Sequence, residues 1–226
     1  KNKILSIKKI GKLKLMTVKI KKTYPKWWNE ACNELSKRDK VMKKLITNYA
    51  GSKVSTIKNP FYSLARCIVG QQISVQAADA VWNRLTNHFE IQNPGCFQKT
   101  NKLFLKSFGL SERKSSYLIN LSNYMIDKNS YEFWNSINDE EINNKLLKLK
   151  GIGPWSIKMF LIFSLNRKDV FSPEDLGLLK AIGKNYYNGK KPDQKQAEEL
   201  ASKWSPWRTA ACWFLWRSID PSVVVY

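Results

Sequence analysis

The chain has a single histidine, no paired cysteines and no long apolar run, and each shortage removes a class of chemistry. His88 is the only histidine in 226 residues. It follows a helical apolar pattern without a ligand partner at i+3 or i+4, so it reads as a surface or packed residue and histidine-based catalysis is not expected. Cys32, Cys67, Cys96 and Cys212 are scattered without a C-x-x-C pair. Neither a zinc site nor an iron–sulfur cluster is legible, and reduced, partly buried thiols are expected. No apolar stretch reaches the roughly 18 residues of a membrane span, and no signal-peptide core precedes a small-residue cleavage site. The expectation is an intracellular protein, in cytoplasm, nucleoid or nucleus, with no membrane partner. Acidic residues are also scarce: 18 Asp and Glu against 39 Lys and Arg give a formal net charge of +21. That imbalance implies a polyanionic partner. The nine tryptophans and nine tyrosines accompanying the lysines favour nucleic acid, the bland alternative being a lysine-rich proteome.

β-branched alternation is nearly missing outside the first twenty residues and the last four, and a 3.6-residue period runs through almost every segment after Tyr24. The fold class is therefore mostly α, and 43% hydrophobic residues suffice for its core. Predicted helices are Lys26 to Ser36, Lys40 to Tyr49, Pro60 to Val69, Val75 to Phe89, Lys102 to Phe108, Glu112 to Ile126, Tyr131 to Ser136 and Asp139 to Lys148. The series continues with Trp155 to Leu165, Pro173 to Ile182, Gln194 to Trp204 and Trp207 to Ser218. Ser74, Asn138 (with Glu141 at N3) and Ser172 (ahead of Pro173) are expected caps, and Gly109 and Gly183 expected helix ends. Asn185 to Pro192 reads as a surface loop. Turns are short and repeats absent, which predicts one body rather than domains on a linker; a monomer is expected. Lys1 to Lys22 holds nine lysines and no acidic residue. It is open to reading as a DNA-contacting arm, a leader, or an extension ahead of a start at Met16.

The most informative stretch is Leu149-Lys150-Gly151-Ile152-Gly153-Pro154-Trp155, followed twenty residues after Trp155 by Asp175. Two glycines around one apolar residue, between two helices, describe a helix–hairpin–helix. Glycine allows a sharp turn and close approach of a phosphate, and the next helix adds free N–H groups at its positive end. Lys148, Lys150 and Lys158 strengthen the attraction, although an ordinary interhelix turn explains the pattern as well. Asp175 falls at N3 behind Ser172, where it would close a capping box. The same place suits a functional carboxylate, since the helix N-terminus stabilises negative charge and an ionised Asp beside a sugar stabilises positive charge developing there. Glu174 points about 100° away around the helix and is expected to be peripheral.

Trp204, Trp207, Trp213 and Trp216 recur near i, i+3 around Pro206. They read either as core or as walls of a cleft that holds a cationic base, which Trp155 would share. Gly70-Gln71-Gln72-Ile73-Ser74 bends between two helices. Its amides either satisfy helix-end backbone groups or project into a DNA stack to fill the gap left by a flipped nucleotide.

Together, Ile68 to Ser74, Leu149 to Trp155, Asp169 to Asp175, and Trp204-Ser205-Pro206-Trp207-Arg208 through Trp216-Arg217 resemble the helix–hairpin–helix DNA glycosylases. The similar branch is that of 3-methyladenine DNA glycosylase II, which removes alkylated bases in base excision repair. The resemblance covers roughly Tyr24 to the C-terminus. It implies two helical subdomains, residues 60–167 with the hairpin at 149–154, and residues 23–59 plus 168–226, with an active-site cleft between them. The basic residues 1–22 stand outside both. By motif position it further implies Asp175 as the catalytic aspartate, Gln72, with Gln71 beside it, as the residue inserted into duplex DNA, and Trp155 and Trp216 as pocket walls. Met159 and Trp207 are added to that pocket, and Gly151, Gly153, Lys150 and Lys158 to the phosphate grip. No cofactor is required; a monovalent ion on the carbonyls of Leu147, Leu149 and Ile152 is implied. Family members with a large β domain before the helices have far more sequence there, so that domain is expected to be absent or a remnant. Relatives that also cut the strand carry a lysine where this chain has Trp155, which implies a monofunctional enzyme. The alternatives are a bifunctional glycosylase for oxidised bases and a binder of DNA structure without catalysis.

Overall fold

A computed structural model describes residues 22–220. The basic segment 1–22 lies outside the described residues except for the backbone of Lys22, which pairs in β1 (Lys22–Thr23) with β2 (Thr56–Ile57) as a short antiparallel ribbon. Everything else regular is helical: α1 (Trp28–Arg38), α2 (Lys40–Asn48), α3 (Pro60–Gly70), α4 (Val75–Thr86), α5 (Lys102–Lys106), α6 (Glu112–Met125) and α7 (Tyr131–Ser136). The chain continues through α8 (Asp139–Leu146), α9 (Pro154–Phe163), α10 (Leu176–Tyr186), α11 (Gln194–Ser202) and α12 (Arg208–Ile219), with a 3₁₀ turn at Pro94–Phe97.

The caps explain most starts. Ser74 Oγ accepts the Ala77 N–H at 3.2 Å to open α4, and Asn138 Oδ1 accepts the Glu141 N–H at 2.8 Å to open α8. Asp193 and Gln196 form a reciprocal capping box at α11. Asp39 ends α1 and begins α2: its Oδ1 accepts the N–H groups of Val41 and Met42, and its Oδ2 accepts the Tyr186 hydroxyl at 2.7 Å and Trp204 Nε1 at 3.0 Å. Burial, followed by the Asp39 carboxylate, raises the Tyr186 pKa far above the ordinary phenol value.

α3 is the axis of one group of helices. Phe61, Leu64, Ala65 and Ile68 are fully buried along it, and α4, α6 and α9 pack against it, with α5 on α6 and α8 on α9. α1, α2, α10, α11 and α12 pack on one another as a second group. One continuous apolar cluster runs through both. α9 is buried on nearly every face, packing on α3, α8 and β2 while its Phe163 meets Trp213 and Trp216 of α12.

Several helix ends shift by a few residues, α4 for example ending at Thr86 rather than Phe89, and two boundaries differ for a tertiary reason. Ser172 does not cap a helix starting at Pro173: Ser172 to Asp175 form a turn closed by Asp175 N–H to Ser172 O at 3.1 Å, and Asp175 itself is the N-cap of α10. A proline at i+1 of a turn and a proline at N1 need the same φ, so the local pattern fits both. Gly183 does not end α10 but lies buried inside it, because a Cβ there would stand 2.6 Å from the Lys190 carbonyl oxygen of the returning loop. The loop consequently begins after Tyr186, later than Asn185.

Candidate active site

α3 ends and α9 begins side by side, and that adjacency builds the site. After Gly70 the backbone turns out of the helix at Gln71, and Gln72, exposed, takes φ +57°. A glutamine in the left-handed region is uncommon and costs about 1–2 kcal/mol, so the surroundings must hold it there. Lys114 of α6 does part of this: its Nζ donates to Val69 O at 2.8 Å and to Gln71 O at 2.7 Å. Partial burial lowers the Lys114 pKa. The Gln71 side chain points back into the protein, its Nε2 donating to Gly151 O at 2.8 Å and to Ser156 Oγ at 3.0 Å. The two glutamines therefore part: Gln72 faces solvent and Gln71 is bound to the hairpin.

The hairpin glycines differ in kind. Gly151 has φ +94°, and a Cβ there would fall 2.3 Å from the Tyr117 ring. The fold itself demands this glycine. Gly153 has extended backbone, φ −118° and ψ 179°, and a Cβ there would meet nothing within 4 Å. No packing among the described residues calls for it. It is the N-cap of α9 with no side-chain cap, so the N–H groups of that helix start are open to an anion. Lys148 and Lys150 are exposed and Lys158 is half-buried in the same neighbourhood. The Leu149 carbonyl accepts the Ile152 N–H at 3.0 Å, and Leu147, half exposed, is the C-cap of α8.

Asp175 lies across from the hairpin. Its Oδ1 accepts the Leu178 N–H at 2.6 Å and Trp216 Nε1–H at 3.2 Å, and its Oδ2 accepts Trp155 Nε1–H at 2.6 Å. Three donors from three elements thus aim one carboxylate, and one of them is a helix-start amide whose dipole favours negative charge. The use of both indole N–H groups to orient Asp175 had no sequence signal, because the three residues are joined only in the fold. Trp216 is backed by Phe163, stacked at 6.0 Å and 27°. The segment leading to Asp175 is clamped to α12: Arg208 holds Asp169 through Nε at 2.8 Å and Nη2 at 2.9 Å, and Thr209 Oγ1 accepts the Val170 N–H at 3.0 Å. Burial alone would raise the Asp169 pKa, but the hydrogen bonds from Arg208 and Ser205 outweigh it and hold it below the usual value.

An open cleft of about 450 Å³ is lined among others by Gln71, Gly153, Trp155, Pro173 and Glu174; Asp175 and Trp216 are not among its lining residues, and Asp175 is joined to it through Trp155. Glu174, expected at the periphery, is half-buried on this cleft, and its Oε1 has no hydrogen-bond partner among the described residues. Two expected pocket residues are placed elsewhere. Met159 is buried in α9 with 1% exposure, and Trp207 is buried in the core, stacked on Trp27 at 6.1 Å beneath Lys168. Trp204 and Trp213 are also core. Of the C-terminal tryptophans, Trp216 alone is half-buried and touches Asp175.

Other chemistries find little support among the described residues. No cluster of three His, Cys, Asp or Glu side chains suited to a metal is present, and no helix is long and apolar enough to cross a membrane. The four cysteines are free, and burial pushes Cys67 up to about 12 and Cys32 up to about 11, which disfavours thiolates.

Comparison with known proteins gives the same picture. The HhH-GPD superfamily of base excision DNA repair proteins matches residues 65–206. DNA-3-methyladenine glycosylase 1 of Schizosaccharomyces pombe is 30% identical over 180 residues, 77% of this chain and 79% of that protein. The DNA-3-methyladenine glycosylase of Saccharomyces cerevisiae is 31% identical over 240 residues, 84% of this chain and 79% of that one. The solved structure of S. pombe 3-methyladenine DNA glycosylase in complex with abasic DNA superimposes with a TM-score of 0.77 at 29% identity, covering 84% of this chain and 96% of that one.

Proposed function

Because the chain belongs to the HhH-GPD superfamily of base excision DNA repair proteins, we propose that it flips an alkylated base out of duplex DNA and hydrolyses its N-glycosidic bond, leaving an abasic site. The observation that carries this reading is the Asp175 carboxylate, aimed by Trp155, Trp216 and the start of α10, with Trp155 itself lining an open cleft. A methylated purine with a formal positive charge is a good leaving group. The C1′–N bond breaks with its electron pair moving onto the ring, which departs neutral, and positive charge develops on the sugar. A preorganised carboxylate in a partly dry site stabilises that charge. Water then adds to C1′ and gives up a proton, with Asp175 placed to accept it. Trp155 and Trp216 supply indole faces, which attract a cationic base.

Binding divides between two elements. The open N–H groups after Gly153, with Lys150 and Lys158 nearby, take a backbone phosphate, while Gly151 shapes the turn. Gln72, exposed in a left-handed turn, fills the stack behind the flipped nucleotide. The carbonyls of Leu147, Leu149 and Ile152 would hold a monovalent cation. The Leu149 carbonyl keeps a second lone pair after its bond to Ile152, and oxygen-only donors suit such an ion. When bound, the ion would add positive charge beside the phosphate.

The partner is damaged double-stranded DNA, engaged by a monomer without a cofactor. Release is monofunctional, because Trp155 offers no amine to the sugar. The test is chromatographic detection of free methylated purine from an alkylated duplex incubated with the protein in EDTA. Base release that leaves an intact strand with an abasic site supports the reading. Tight binding without release would make the protein a DNA-structure binder instead.

A further inference from the structure

The amide of Gln71 crosses from the end of α3 to the hairpin, and nothing assigned to the site so far uses that bridge. Gly151 O is a pure acceptor, so the Nε2 group must be the end that faces it; the same group reaches Ser156 Oγ. On the other side of the turn, Lys114 holds the carbonyls of Val69 and Gln71. Between these anchors sits Gln72 at φ +57°, a conformation that persists only where neighbours over-determine it. The hairpin end of the bridge is itself fixed, since Tyr117, on the same helix as Lys114, packs where a Gly151 Cβ would be.

We propose that Gln71, with Lys114, is a positioning strut that locks the Gln72 turn at a set distance from the phosphate-gripping hairpin, so that gripping the backbone and filling the stack occur as one rigid movement. Gln71 therefore does not enter the DNA. It acts through Gln72, by keeping the left-handed turn aimed while the hairpin is loaded. The chain of contacts is short and wholly polar at its joints: Lys114 to the Gln71 carbonyl, the Gln71 amide to the Gly151 carbonyl, and the α9 start through Ser156. Hydrogen bonds of this kind fix direction as well as distance, which apolar packing at a solvent-facing turn would not.

This rests on the reading of Gln72 as the inserted residue but not on base release, so the test uses a duplex with a stable tetrahydrofuran abasic analogue facing 2-aminopurine. Insertion changes the stacking, and hence the fluorescence, of that opposite base without any bond being cut. Wild type is expected to give a fluorescence change that Gln72→Ala abolishes. Gln71→Ala and Lys114→Met should each shrink the insertion equilibrium by about tenfold, the size of one net hydrogen bond. The Gln71→Ala/Gln72→Ala double variant should match Gln72→Ala alone, because the strut has nothing left to aim. Gln71→Glu keeps the length but sets an acceptor against Gly151 O; it should behave like Gln71→Ala and covers the case of a poorly folded alanine variant. A wild-type fluorescence change in both Gln71 variants overturns the proposal. So does a double variant whose affinity for the same duplex, read by anisotropy, falls below that of Gln72→Ala by the whole of the Gln71→Ala loss, or a wild-type protein that leaves 2-aminopurine unaltered. A chain that passes this test yet releases no methylated base would retain the strut and lose the glycosylase reading.

Discussion

Replacing Gly151 and Gly153 by alanine, one at a time, separates a glycine the fold needs from one the ligand needs. At Gly151 the backbone sits at φ +94° and the new Cβ would lie 2.3 Å from the Tyr117 ring. The left-handed conformation costs an alanine about 1–2 kcal/mol and overpacking commonly adds about 1–3 kcal/mol. Taken as about 3 kcal/mol in a chain of this size, that lowers Tm by about 6–12 °C. At Gly153 the backbone is extended and the Cβ meets nothing within 4 Å. The intramolecular cost is the weaker cap, about 0.5–1 kcal/mol because alanine caps less well than glycine, so Tm should fall by no more than about 1–4 °C. If the α9 amides take a backbone phosphate as proposed, the same methyl group stands in its way, and losing one charge-assisted hydrogen bond of about 1.5–3 kcal/mol weakens DNA binding by about 10- to 100-fold. Differential scanning calorimetry and fluorescence anisotropy on an abasic duplex at fixed salt read the two effects. Unchanged DNA affinity in Gly153→Ala, or a wild-type Tm in Gly151→Ala, would refute the division.

Asp39→Ala removes an N-cap together with the acceptor shared by Tyr186 and Trp204; a loss of about 2–4 kcal/mol in a urea titration is expected, with little change in DNA affinity. Asp169 contributes stability that is present above the ordinary aspartate pKa of about 3.9 and lost as pH falls through its lower folded value. Arg208→Met removes the first of the bonds that depress it, so the Tm gap between wild type and variant should narrow as pH is lowered from neutral to below 4. A constant gap would contradict the pairing. Borohydride added during turnover should trap no protein–DNA adduct, since no lysine occupies the Trp155 position. A trapped adduct would mean that another amine, Lys158 foremost, reaches the sugar.

Helix content was readable because apolar spacing and caps act locally. Tyr131–Ser136 coincides with its expected bounds, and Ser74 and Asn138 cap the helices that follow them. Errors arose where a tertiary contact chose between equal local options. Pro173 fits a helix start and a turn alike, and Asp175 became the cap once the turn closed on Ser172. Gly183 resembles a helix terminator, yet its missing Cβ admits the Lys190 backbone. The tryptophan-rich C-terminus shows the same limit. Spacing marks Trp207, the N-cap of α12, and Trp216 within it as similar aromatic positions, whereas packing on Trp27 buries the first and the Asp175 carboxylate engages the second. Gln71 and Gln72 were inseparable as neighbours in a bend. The Gly151 carbonyl, eighty residues away, separates them.

In the proposed reaction the Asp175 carboxylate stabilises charge developing on the sugar. The direct measurement of this is the single-turnover rate of base release from a methylated duplex by wild type and Asp175→Asn, at matched and saturating protein. Asparagine keeps the size but removes the charge and turns an amide N–H toward donors already supplied by Trp155, Trp216 and Leu178. The rate should fall by about 100-fold or more with DNA affinity within a few-fold of wild type. Equal rates in the two proteins would remove Asp175 from the chemistry.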